Sequence, residues 1–333
     1  MNKKLIALAV AAASISSVAT AAEVYSDETS SLAVGGRFEA RALVADDANG
    51  DTQVNDKTRV RLNIAGKTDI TDTVYALGFY EAEYASNTSA NDSKHTVNHR
   101  HINAGIGGDF GQVRYGKTDG SLGMLTDFTD IMSYHGNGAG SKIAAADRTS
   151  NNLAYVGSFD LGGNNLTVKA NYVFEGVEDS TVSYEDGYSV GAIYAMDMGL
   201  AFGAGYGEQD IVGQTDTQKQ AFGAISYTFG DFYVAGLYQD ARNTQENGTQ
   251  DAEGFELAAA YTYGKTVFTG TYNYLENTDA KKDVVDAFNI DATHYFNKNF
   301  RTYASYKFNN LDKKFATKAQ RANEFVLGAR YDF

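Results

Sequence analysis

LTVKANYVF, residues 166–174, sets Leu166, Val168, Ala170, Tyr172 and Phe174 on one face of a strand and Thr167, Lys169 and Asn171 on the other. The last stretch, EFVLGARYDF (324–333), repeats the pattern, with Phe325, Leu327, Ala329, Tyr331 and Phe333 opposed to Glu324, Arg330 and Asp332. One alternating strand fits a soluble sheet as well as a membrane barrel. The number of such strands, and how they are joined, decides between the two.

Working outward, sixteen strand-like segments follow one another: 32–45, 57–69, 73–85, 97–108, 110–117, 151–159, 165–175, 187–196, 199–208, 219–229, 231–242, 253–263, 265–276, 285–296, 299–309 and 322–333. Their connections alternate in length. Tight turns such as DITD (69–72), GDFG (108–111), MDMG (196–199) and NKN (297–299) take turns with longer, acidic ones such as 46–56, 87–96, 176–186, 209–218 and 310–321. Short turns on one rim, long loops on the other and an even strand number make an all-β, transmembrane, antiparallel 16-stranded β-barrel. Its apolar exterior and polar, charged interior invert a water-soluble barrel. Segments 97–108 and 231–242 alternate poorly; the first suggests a subunit contact, and the pattern offers no reason for the second.

One connection differs from all others. Between FGQVRYGK (110–117) and NNLAYVGSFD (151–160) lie some thirty residues rich in Gly, Ser, Asn and Asp, with apolar patches at Met124–Leu125 and Ile131–Met132. A loop of that length is uncommon and usually functional. We read it as folded into the barrel mouth, where it narrows the passage.

Composition agrees. The chain has no Pro, which would delete ladder donors, no Cys and no Trp, but 23 Tyr, 19 Phe and 34 Gly. Residues 1–21 read as a secretory signal: Lys3 and Lys4, the apolar run 5–13, then Ala19-Thr20-Ala21 as a cleavage site. Residues 22–333 are then the barrel. Losing the two lysines takes the net charge from −14 to −16, which excludes nucleic acid as a partner. No later run is apolar enough for a membrane helix.

With these features in place the chain resembles, end to end, the general diffusion porins of Gram-negative outer membranes. The resemblance is carried by AEVY (22–25), FGQVRYGK, the long loop, DRTSNN (147–152) and the terminal ARYDF. It implies a homotrimer in the cell outer membrane, with lipid and lipopolysaccharide around it and the barrel-assembly machinery as an earlier partner. It implies passive passage of ions and small hydrophilic solutes, with no cofactor and no bound metal. Phe333, with Tyr331 two residues before it, resembles the family's assembly signal.

For the pore, the resemblance implies basic side chains on the wall facing acids on the third loop. Arg37, Arg61 and Arg148 match basic positions of the family, and Lys117 sits where an arginine is usual. Asp130, after Thr129, matches a constriction acid. The family's loop glutamate and aspartate are replaced by Tyr134 and Gly138, for which Asp127 or Glu81 would compensate. Opposed charges across a narrow aqueous gap make a transverse field that orders water and sets ion preference. The acidic mouth (Asp46, Asp47, Asp51, Asp92, Asp179, Asp210, Asp216, Asp251 and Asp279) then points to a mild cation preference, screened by salt over about 8–10 Å.

Other signals are weaker. His95, His99 and His101 form H-x3-H-x-H, with the last two on one face of an ideal strand, where they could hold a divalent ion. GAGYG (203–207) has no following helix and so is no phosphate cradle. An outer-membrane enzyme needs a nucleophile and base on neighbouring strands, and no Ser-His-acid set suggests itself. An adhesion barrel is the other alternative, with attachment sites on the long loops.

Overall fold

The computed structural model describes residues 21–86, 97–177, 183–211, 213, 216–245 and 249–333. Most of the expected signal segment, the loop at 87–96 and His95 therefore lie outside the described residues.

Eighteen strands join in one closed antiparallel sheet, and two of them, Ala22–Ser26 and Thr52–Asp56, are short additions, which leaves sixteen staves. In chain order the staves are β1 (Ser30–Asp46), β2 (Arg59–Asp69), β3 (Val74–Ala85), β4 (Val97–Gly108), β5 (Gly111–Asp119) and β6 (Arg148–Asp160). Next come β7 (Asn165–Val173), β8 (Gly187–Ala195), β9 (Leu200–Asp210), β10 (Thr217–Phe229) and β11 (Phe232–Gln245). The last are β12 (Gln250–Tyr263), β13 (Thr266–Asn277), β14 (Lys282–Tyr295), β15 (Phe300–Asn309) and β16 (Glu324–Asp332). All sixteen coincide with the alternating segments of the sequence. Each pairs with its chain neighbours, and β16 closes on β1 through nine registered pairs from Arg37–Asp332 to Ala45–Glu324. Closure leaves no edge, so apart from a few bulged positions the strand residues find their backbone partners within the wall.

The chain's two ends share one row. Below β16, Phe333 exchanges both backbone hydrogen bonds with Gly36, 3.0 Å each, and the short strand Ala22–Ser26 then continues along β1. The Phe333 ring lies 5.6 Å from Phe38 and 6.2 Å from Tyr331, so it seals the seam on the outside. The first long connection is partly ordered as well, since Thr52–Asp56 pairs with Ala42–Asp46.

The outer face is apolar. Val190, Phe202, Ile225, Val234, Leu257, Phe268, Ile290 and Leu327 are all exposed there. Near the short-turn rim aromatic rings run from strand to strand, with Phe229 5.4 Å from Phe232 and Phe232 4.6 Å from Tyr261. Apolar residues outside at this density require hydrocarbon as the surrounding medium.

The two poorly alternating strands have separate causes. In β4 the pairing with β3 slips at Arg100, between Glu81–His101 and Ala82–His99. That bulge turns His99 outward, against Tyr80 (3.0 Å), and His101 inward toward Glu81 and Asp119, so the two histidines do not share a face. In β11 the inward residues Ala235, Leu237 and Ala241 are apolar because the long loop packs on them.

Candidate functional site

The connection from β5 to β6 folds inside the barrel. It contains an α-helical turn, α1 (Gly123–Thr126), whose Met124 and Leu125, with Leu122 and Phe128, are essentially fully buried against Ile193, Ala201, Phe222, Ala224 and Leu237 of β8–β11. Each such side chain contributes about 2–3 kcal/mol to docking. Glycines make room: a Cβ on Gly203 or Gly205 would stand 2.7 Å from the Leu125 or Leu122 methyls. The GAGYG stretch thus serves close approach, and nothing phosphate-like.

Polar clamps complete the docking. Tyr233 Oη donates to the Phe128 carbonyl (2.8 Å), and Ser121 N donates to Ser189 Oγ (2.9 Å). Glu256 of β12, completely buried, accepts from Thr129 Oγ1 (2.5 Å) and from Ala139 N (2.8 Å). On the return arm, Gln220 accepts from Ile143 N (3.0 Å) and Gln209 from Ala145 N (2.9 Å). At the far tip Ser133 meets Thr293 (2.7 Å), and His135 bonds Ser305 through Nδ1 (2.7 Å) and Glu324 through Nε2 (3.3 Å). The fold thereby assembles the serine, histidine and carboxylate that the sequence did not suggest. Ser305 is only 1 % exposed, and the set latches the loop tip to β15 and β16.

Across the lumen the wall from β15 round to β4 carries charge in register. Asp332, Arg37, Arg61 and Glu83 occupy one cross-strand row; Arg301, Arg330, Glu39 and Arg59 occupy the next. Residues directly opposite on neighbouring strands share a face. Arg59 Nε donates to Glu39 (2.7 Å), Arg61 Nε to Glu83 (3.0 Å), Arg100 Nε to Glu81 (2.7 Å) and Arg330 Nε to Asp332 (2.7 Å). Arg37 lies 3.7 Å from Glu39 and 3.8 Å from Glu83, and Arg61 lies 3.5 Å from Glu81. Arg41 stands 5.0 Å over the Tyr134 ring, so the tyrosine in the family's acidic position covers a guanidinium.

Arg37, Arg61 and Glu81 therefore belong to one network, with Glu39, Glu83, Arg59 and Arg100 as members that the sequence reading did not name. For Glu39, Glu83 and Arg59 the signal was available, since each lies at an inward position of a charged alternating strand; Arg100 sits at the bulge of β4 and had none. Arg148 begins β6 and approaches Asp119 (3.7 Å). Lys117 is placed otherwise. It stands opposite Ile102, which is 51 % exposed on the outer face, and that register sets Lys117 on the same side. Among the described residues no ion pair reaches it. Lys169 of β7, buried on the inner face, lies instead near the loop acids.

Asp127 caps α1 and Asp130 follows one turn later, exposed to the lumen. Among the described residues neither carboxylate has an ion pair within 4 Å, though the charge of Lys142 acts on Asp130. Confinement inside the barrel raises both above the usual carboxylate range. Asp127 is pushed up to about 7, first by lost hydration and then by the charge of Asp130.

A closed barrel, apolar outside and charged inside, partly crossed by its own loop, is a channel of the outer-membrane type. The family model described as Gram-negative porin matches residues 7–314, and the chain belongs to that family. It is 64% identical over 353 residues to porin-like protein L of Photobacterium profundum, with 100% of both chains covered. It is 42% identical over 356 residues to outer membrane protein U of Vibrio parahaemolyticus serotype O3:K6, again with 100% of both covered.

Among solved structures, Salmonella typhi OmpF in complex with daunomycin matches with a TM-score of 0.81 at 20% identity, over 94% of this chain and 100% of that one. An anion-selective porin from Comamonas acidovorans gives 0.73 at 18%, and the trimer form of Vibrio cholerae OmpT 0.69 at 21%; they cover 91% and 92% of this chain and 100% of their own. At such identities the likeness carries the fold alone. The protein is a porin of the Gram-negative outer membrane.

Proposed function

We propose that the protein is a general diffusion porin for ions and small hydrophilic solutes, mildly cation-selective at low salt. The narrowest passage lies between Asp127 and Asp130 on the loop and the wall network that includes Arg37, Arg61, Glu81 and Arg148. The observation that carries this reading is the contrast in compensation: most wall guanidiniums lie within 4 Å of a wall carboxylate, while Asp127 and Asp130 have no ion pair among the described residues. The acidic chain adds a field that concentrates cations at the mouth.

The preference is mild because the wall still holds more guanidiniums (Arg37, Arg59, Arg61, Arg100, Arg301, Arg330) than carboxylates (Glu39, Glu81, Glu83, Asp332). Reversal potentials across a KCl gradient test it. The wild type should favour potassium at low salt, less so as salt rises, and Asp130→Asn should move the channel toward chloride. A wild type that prefers chloride at low salt, or an unchanged Asp130→Asn, overturns the assignment.

The same reading includes a homotrimer, supported by the trimer form of a structural neighbour and checked by crosslinking in detergent, where monomer alone would count against it. It includes residues 1–21 as a cleaved export signal, checked by the N-terminus of the protein recovered from the membrane. It also includes Phe333 and Tyr331 as the signal read by the barrel-assembly machinery, and lipopolysaccharide as the surrounding outer-leaflet lipid.

A further inference from the structure

Lys169 of β7 is only 7 % exposed, and among the described residues it has no hydrogen bond and no ion pair within 4 Å. Its register sets it on the inner face, opposite Val156 of β6 and Gly191 of β8. The long loop covers that face. A Cβ on Gly191 would stand 2.8 Å from Met124 Cε of α1 and 3.5 Å from the Ser121 carbonyl oxygen. Two residues along β7, Asn171 Nδ2 donates to the Ala145 carbonyl (2.8 Å), so the return arm of the loop closes over the same strand. Lys169 therefore lies behind the obstruction, almost wholly out of contact with the lumen.

A buried ammonium without a direct partner is costly unless carboxylates stand near it. Here they do. Asp119 at the end of β5, Asp127 at the end of α1 and Asp147 on the return arm all act on Lys169, and Arg114 of β5 is the cation that opposes it. Asp119 has other cations at hand, His101 at 3.1 Å and Arg148 at 3.7 Å. Asp127 has no such pair among the described residues. Its charge is opposed by Asp130 and Asp119 and favoured by Lys142 and then Lys169. Lys142 is itself shared with Asp147, 3.9 Å away.

From this placement we propose that Lys169 is a selectivity-determining residue of the channel. It is a countercharge held behind the loop, which keeps Asp127 ionised near neutral pH and also weakens the pull of the loop acids on cations. It acts through its field, across the turn of α1, and needs no contact with a solute. Charges inside the protein are screened by salt much less than charges that face water, so this contribution outlasts that of the acidic mouth. The inference rests on the porin reading, since selectivity presumes a conducting channel.

Reversal potentials across a KCl gradient, taken from about pH 5 to 9 around the titration of Asp127, test it. Lys169→Met, of similar length but uncharged, should raise potassium preference at both ends of that range. It should also move the midpoint of the pH profile up by about one unit, because ionised Asp127 loses a stabilising neighbour and takes up its proton at higher pH. That shift should persist at about 1 M KCl. Lys169→Arg should keep the wild-type midpoint, and Lys169→Gln should repeat Lys169→Met, so the result does not hang on one variant that folds poorly. Asp127→Asn in the Lys169→Met background should remove the step in the profile. Wild-type profiles in both uncharged variants overturn the proposal, as does a midpoint that moves down. A Lys169→Arg channel that behaves like Lys169→Met overturns it too, because packing rather than charge would then be at work. Failure of the porin reading would instead appear as absence of KCl conductance in the wild type.

Discussion

The inner face of this barrel is two different materials. Over β8–β11 it is a protein core: Ile193, Ala201, Phe222, Ala224 and Leu237 meet Leu122, Met124, Leu125 and Phe128 of the loop, and water is excluded. Over β15, β16 and β1–β4 it is a charged surface: guanidiniums and carboxylates in register, most of them partly exposed to the lumen. The same alternating strand supplies both, and what differs is whether a second layer lies on it. One half of the wall holds the obstruction still, so the other half can act on whatever passes.

The strongest way to break this division is to attack the apolar half. Phe128→Ala removes a fully buried ring and should cost about 3–5 kcal/mol of docking. Single-channel recordings should then show larger and noisier conductance, with the barrel itself intact by heat-modified mobility. Quiet channels of wild-type size would mean that Glu256 and the other polar clamps hold the loop unaided.

The charged half responds to sign. Glu83→Gln withdraws the carboxylate that answers Arg61, Arg59 and Arg37 together, and should shift permeability several-fold toward chloride. Arg61→Ala should act oppositely, raising conductance and cation preference. If both variants moved the reversal potential the same way, the network would be shaping the pore rather than charging it.

The smallest effect is in pH, and it belongs to the boundary between the halves. Asp127 titrates near 7, so it is charged above that value and neutral below it. Cation preference should therefore fall as pH drops from about 8 to 6, and Asp127→Asn should remove most of that dependence. Asp127→Asn with the wild-type pH profile would place the titrating group elsewhere.

The pair His99 and His101 shows where reading a strand by period two stops working. Ideal alternation carries no information about slips in the ladder, and the bulge at Arg100 moves the two histidines to opposite faces. For Lys117 the family resemblance points to the pore, whereas alternation with the outward Tyr115 and pairing with the outward Ile102 both set it on the outer face. Strand β11 failed the pattern for the opposite reason. Its inward residues are apolar because of a loop some hundred residues earlier in the chain, as in the contact from Tyr233 to Phe128.

The sequence by itself determined the strands, their number and, in all but two of them, the side that meets lipid, because those follow from local alternation and from turn lengths. It also marked the long loop, and the charges on β1–β3 were legible at inward positions of alternating strands. Only the tertiary structure decided how those charges pair. Glu39, Glu83 and Asp332 reach their arginines on neighbouring strands, some twenty to thirty residues away along the chain, at separations that no local pattern records. It also decided that the loop lies on β8–β11, because that depends on shape: leucines on Gly203 and Gly205, and one buried glutamate clamping two points of the loop. Side-chain complementarity between distant segments is a property of the folded surface, and it comes into being only when the barrel has closed.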